Sequence, residues 1–155
     1  MLEIDLSYPL NLDITLNSGQ CFRWKKINDW WYGVVNNSVW KCKVRGKRLL
    51  IDIFQNDITT DKSEIIRSDI ISYFNLDRDY SNIINSIQKD ELIKFISTKL
   101  SGLTILNQDP YETLLSYILT ANNNVARVKG MVEKLSIVYG TKIITDSGSF
   151  YSFPK

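Results

Sequence analysis

The feature that most constrains this chain is a change of hydrophobic period near residue 63. Upstream, "WWYGVV" (Trp30 to Val35), "SVWKCKV" (Ser38 to Val44) and "RLLIDIF" (Arg48 to Phe54) are rich in aromatic and β-branched residues, as strands are. Asn36-Asn37 and the stretch around Gly46 separate them, and both Asn and Gly tolerate the positive φ that hairpin turns demand. From Ser63 onward, Ile65, Ile66, Ile70, Tyr73 and Phe74, then Leu92, Phe95 and Ile96, recur near helical spacing. The order implies an α+β fold: an antiparallel sheet first, then helices packed on it. Ser101-Gly102 interrupts the last of these helices and is the expected boundary between a domain of residues 1–102 and a second of residues 103–155.

Past that break, "DPYE" (Asp109 to Glu112) is a strong helix start, with a capping carboxylate, Pro at the first helical position and an acid three residues after the cap. Tyr111, Leu114, Leu115, Ile118 and Leu119 mark one apolar stripe, and Val125, Val128, Val132, Leu135 and Tyr139 a second that ends at Gly140. Asn122, Asn123 and Asn124 join the two helices. Short amides suit such a junction, since Asn both tolerates a left-handed conformation and caps the next helix. One or two would suffice for that. A third, with Arg127 close behind, leaves donors and acceptors equipped to read a base edge, and the two roles are compatible.

Composition removes several alternatives. The chain has 155 residues, 44% of them hydrophobic, enough for one sizeable core or a small domain plus part of a second. No apolar run reaches the roughly 18 residues of a membrane span, and "MLEIDLSYPL" lacks the order of a signal peptide, so the expected location is intracellular. There is no His, and Cys21 and Cys42 allow at most one bridge, which argues against a metal site or a Ser-His triad within the chain. A net charge of +2 permits a polyanionic partner without requiring one. Lys41, Lys43 and Arg45 alternate with Trp40, Cys42 and Val44, a face that is either solvated or phosphate-binding. Trp24, Trp30, Trp31 and Trp40 suit core packing better than base stacking, and Cys21 reads as a small buried thiol.

"LNSGQCFRW" (Leu16 to Trp24), "LNQDPYETLLSYILTANNNVARVKGMVEKL" (Leu106 to Leu135) and "YSFP" (Tyr151 to Pro154), in this order, resemble the amino-terminal portion of 8-oxoguanine DNA glycosylases. The resemblance implies an amino-terminal antiparallel sheet with flanking helices, followed by the first helices of a helix-hairpin-helix glycosylase domain. It implies base-excision repair, with a damaged guanine extruded from the duplex and displaced from its sugar by an amine, after which elimination nicks the strand. Gly19 matches the residue whose carbonyl meets N7 of the lesion, where 8-oxoguanine carries a proton and guanine a lone pair. A simple turn before "CFRW" is the competing reading of Gly19. Asn122 and Arg127 match the residues that bond the cytosine left unpaired. The family's catalytic Lys and Asp fall beyond the matched segments, so no catalytic residue is carried over, and the chain reads as an amino-terminal fragment. The expected partner is double-stranded DNA containing 8-oxoguanine, bound by a monomer with no cofactor, no metal and no membrane attachment. Two alternatives stand beside this: a non-catalytic DNA-binding module, and a glycosylase for alkylated bases.

Overall fold

The computed structural model describes residues 1–55 and 63–154. Five strands, β1 (Leu2–Asp5), β2 (Trp24–Ile27), β3 (Trp30–Val35), β4 (Ser38–Arg45) and β5 (Arg48–Phe54), form one antiparallel sheet in the order β1-β5-β4-β3-β2. Consecutive strands from β2 to β5 are joined by two-residue turns that place Asn28, Asn36 and Gly46 at positive φ. These residue types accept that conformation with little steric cost, which fixes the register of all three hairpins. Strand β2 begins only at Trp24, so Cys21 to Arg23 approach the sheet as a loop rather than as part of the strand. Strand β1 and helix α1 (Leu12–Asn17), capped by Asn11, precede it.

Helix α2 (Ser63–Phe74) covers one face of the sheet. Ile70, Tyr73 and Phe74 are buried against Trp24, Trp31 and Trp40, with the Trp24 indole N–H donating to the Tyr73 hydroxyl at 2.8 Å. Three of the four tryptophans are therefore core residues, as their strand context implies, and Trp30 is half-buried. Helices α3 (Tyr80–Ile87) and α4 (Glu91–Lys99) follow, the second held at its start by Asp90. The expectation that the stripe of Leu92, Phe95 and Ile96 packs on the sheet is not met. Helix α4 buries no residue, and these three side chains are 64%, 61% and 40% exposed. Helical spacing identifies an apolar face but not the surface that covers it.

Helices α5 (Pro110–Leu119) and α6 (Val125–Tyr139) form the expected pair. Val128 and Val132 of α6 are buried with Phe153, and Phe22, Leu115 and Leu119 pack beside them. The chain then returns as a hairpin, β6 (Lys142–Thr145) and β7 (Gly148–Tyr151), whose Ile143 and Phe150 bury Tyr32, Val34 and Val39 on the second face of the sheet. That face is thus covered around Lys41, while Arg45 at the end of β4 is exposed as a solvated face would have it. Lys41 is ion-paired to Asp146 of the hairpin turn, and the Lys43 ammonium lies 4.2 Å from the Trp30 ring centre. These cations are engaged within the protein and do not form a free phosphate-binding track. Among the described residues, no helix is long and apolar enough to cross a membrane.

Candidate nucleic-acid interface

The turn between α5 and α6 divides its three asparagines among separate tasks. Asn124 is the N-cap of α6, its side-chain oxygen accepting from the Arg127 N–H at 2.9 Å. Asn123 donates from its amide to the carbonyls of Leu119 and Ala121 at 2.9 and 3.0 Å, satisfying acceptors that the end of α5 leaves open. Asn122 takes the left-handed conformation, φ 55°, that reverses the chain. Its side chain is exposed and, among the described residues, makes no hydrogen bond. The exposed Arg127 guanidinium is likewise without an ion pair or hydrogen bond there. The Asn122 amide and the Arg127 guanidinium, the two groups expected to read a base edge, thus take no part in holding the turn among the described residues.

Gly19 stands elsewhere, in the loop after α1, at φ 89°. A Cβ there would meet no atom of the chain within 4 Å. Within the protein the demand for glycine is thus conformational, and the close-approach argument concerns only a molecule entering from outside. Gly19 lines a cleft of about 210 Å³ together with Gln20, Phe22, Gln108, Tyr117 of α5 and its C-cap Thr120. Asn122 and Arg127 do not line it. They lie beyond the C-terminal end of the same helix, whose face from Glu112 to the C-cap Thr120 lines the Gly19 cleft.

Arg23, which the sequence reading passed over, and Glu112, marked there only as a helix-start carboxylate, hold this corner together. Arg23 is buried, its guanidinium donating to the Tyr151 carbonyl, standing 5.9 Å from the Phe153 ring centre and 3.7 Å from a Glu112 oxygen. "FRW", "DPYE" and "YSFP" are far apart in sequence yet meet here. An arginine set in the apolar run "CFRW" was the available signal, since a buried guanidinium needs a counter-charge. Beside it, burial pushes the Cys21 thiol up to about 12, so this cysteine is no thiolate nucleophile. Both cysteines are free.

Burial also raises the Glu112 carboxyl from 4.5 to about 6, opposed only in part by Arg23. A carboxyl whose folded pKa is raised contributes stability that is complete below its unfolded pKa and is lost as pH rises through the folded one. Stability should therefore fall by about 2 kcal/mol through this group between pH 4.5 and 7. Melting curves of wild type and Glu112→Gln across that range isolate the contribution, because the amide does not titrate. Parallel pH profiles for the two proteins would show that Glu112 keeps its ordinary acidity when folded.

A five-stranded antiparallel sheet backed by a helix and followed by a helix pair defines the class of the fold as α+β. Residues 2–114 match the family described as 8-oxoguanine DNA glycosylase, N-terminal domain, and the chain belongs to that family. It is 27% identical to the N-glycosylase/DNA lyase of Saccharomyces cerevisiae, over 90% of this chain and 39% of that protein. Among solved structures, MBOgg1 in complex with a low-affinity DNA ligand superposes with a TM-score of 0.88 at 34% identity, covering 99% of this chain and 51% of that one. The 8-oxoguanine glycosylase/lyase of Clostridium acetobutylicum, bound to double-stranded DNA with cytosine opposite 8-oxoguanine, gives 0.84 at 26% identity, covering 100% and 54%. The chain thus spans about two fifths of the yeast relative and about half of each of these structures.

Proposed function

We propose that this chain is the recognition portion of an 8-oxoguanine DNA glycosylase with lyase activity, acting in base-excision repair on duplex DNA. The observation that carries the reading is the division of labour in the asparagine turn, where the Asn122 and Arg127 side chains make no hydrogen bond among the described residues while Asn123 and Asn124 serve the helix ends. An unpaired cytosine offers one amine donor and two acceptors, which an amide oxygen and a guanidinium satisfy respectively. Gly19 supplies the complementary reading of the lesion, its carbonyl accepting from the N7 proton of 8-oxoguanine and repelling the N7 lone pair of guanine. In the complete reaction an amine attacks C1′ of the extruded nucleotide, the glycosidic bond breaks and the base leaves. The resulting Schiff base then permits elimination of the 3′ phosphate.

The exposed apolar residues of the helices support assignment to a larger enzyme. Leu92 and Phe95 of α4, Leu114 and Tyr117 of α5, and Val138 and Tyr139 of α6 are each more than half exposed. Apolar side chains gathered on helix faces in this way usually mark a surface that something else covers. In this reading the covering material is the remainder of a helical domain, which carries the amine.

The 155-residue chain alone should accordingly form no covalent complex with 8-oxoguanine DNA on borohydride reduction, whereas the product of the complete reading frame should trap readily. A trapped species from the isolated chain, freed of contaminating glycosylase, would place the nucleophile among the residues described above and overturn this division of roles.

A further inference from the structure

We propose that Gln20 is a positioning residue that sets the direction of the Gly19 carbonyl and with it the preference for 8-oxoguanine over guanine; this rests on the reading of Gly19 as the lesion-reading residue. Every polar group of the Gln20 side chain is used. Its amide nitrogen donates to the Thr15 carbonyl at 3.1 Å and to the Thr104 carbonyl at 2.9 Å, and its oxygen accepts from the Leu106 N–H at 2.8 Å. The backbone carbonyl of Gln20 accepts in turn from the Gln108 side chain. One residue thus bolts the loop after α1 to the segment that leads into α5, across more than eighty positions of sequence.

The consequence for Gly19 follows from the geometry of the peptide bond. The Gly19 carbonyl shares a rigid plane with the N–H of Gln20, so whatever fixes Gln20 fixes where that carbonyl points. Glycine by itself gives no such direction, having the freest backbone of any residue. Discrimination between an N7 proton and an N7 lone pair relies on an oxygen aimed before the base arrives, since a carbonyl free to rotate would turn away from guanine and lose the repulsion. The same bonds tie the loop to the segment before α5, and none of them reaches the Asn122 turn.

The test uses the protein made from its complete reading frame, comparing binding of duplexes containing 8-oxoguanine or guanine, and of 8-oxoguanine opposite cytosine or adenine. Gln20→Ala and Gln108→Ala should each lower the preference for 8-oxoguanine over guanine at least fivefold, with the preference for cytosine over adenine held within twofold. Gln108 is half-exposed, and its variant decides the matter if Gln20→Ala does not fold. An unchanged lesion preference in the folded variants overturns the proposal, and so does an equal fall in both preferences, which is the mark of a merely structural role. Gly19→Ala separates this from the parent reading. If that variant keeps its lesion preference, the assignment of Gly19 fails and this inference falls with it; if it loses the preference while the glutamine variants do not, only the inference fails.

Discussion

Replacing Gly33 by alanine should destabilise the protein by about 3 kcal/mol or more, the upper range for overpacking a core and a large share of a domain's total stability. Gly33 pairs with Trp24 across β2 and β3, and the Trp24 ring lies over its Cα. A Cβ would stand 2.1 to 2.4 Å from three ring carbons, closer than any non-bonded contact permits. The ring has nowhere to go: it is 4% exposed, hydrogen-bonded to Tyr73 and flanked by Phe74 at a centroid distance of 6.0 Å. Displacing it gives up packing in the main core and strands a buried indole N–H, which adds a desolvation cost of about 1 kcal/mol or more. Denaturant unfolding followed by tryptophan fluorescence measures the loss. Trp24→Leu combined with Gly33→Ala should be less destabilised than the two single changes sum to, because the smaller side chain leaves room for the methyl. A shift below about 1 kcal/mol in Gly33→Ala would mean that the ring does not rest on this glycine.

Gly33 also shows where the sequence stops being legible. Within "WWYGVV" it looks like a weak point in a strand, and the indole that requires it is nine residues away on a neighbouring strand. Local features are legible in the sequence. The turns at Asn36-Asn37 and Gly46 and the Asp109 cap rest on interactions spanning a few residues, and each forms as its residue types dictate. Strand β1 has only four residues, and its place at the sheet edge is settled by pairing with β5. The covered second face of the sheet depends on a hairpin more than a hundred residues downstream, where Asp146 meets Lys41, so alternating charges in β4 gave no sign of it. The site divides in the same way. Asn123 and Asn124 act on helix ends adjoining them, which their residue type foretells, whereas the meeting of Arg23 with Glu112 and of Gln20 with Thr104 is a product of the fold. The motifs bring these residues to notice, and tertiary contact gives them their tasks.

Asn122→Ala, made in the protein from the complete reading frame, should slow excision of 8-oxoguanine opposite cytosine by roughly ten-fold to over a hundred-fold, the worth of a hydrogen bond of about 1 to 3 kcal/mol to a base edge. Excision opposite adenine should fall less, because adenine's pairing edge does not match the groups offered, so the preference for cytosine narrows. The structure adds a second consequence, since Asn122 holds a φ of 55° and alanine resists that conformation by about 1 kcal/mol. Asn122→Gly separates the two effects. Glycine accepts the left-handed backbone at no steric cost but has no amide, so it should match the alanine variant in lost cytosine preference while melting closer to wild type. Asn124→Ala provides the opposite pattern: it removes the N-cap of α6 and should cost about 1 kcal/mol of stability while leaving the cytosine preference intact. Single-turnover excision opposite each of the four bases, with melting curves for the three variants, reads both quantities. If Asn122→Gly retains the wild-type preference for cytosine, the free amide at this turn reads nothing, and Asn122 serves only to reverse the chain between α5 and α6.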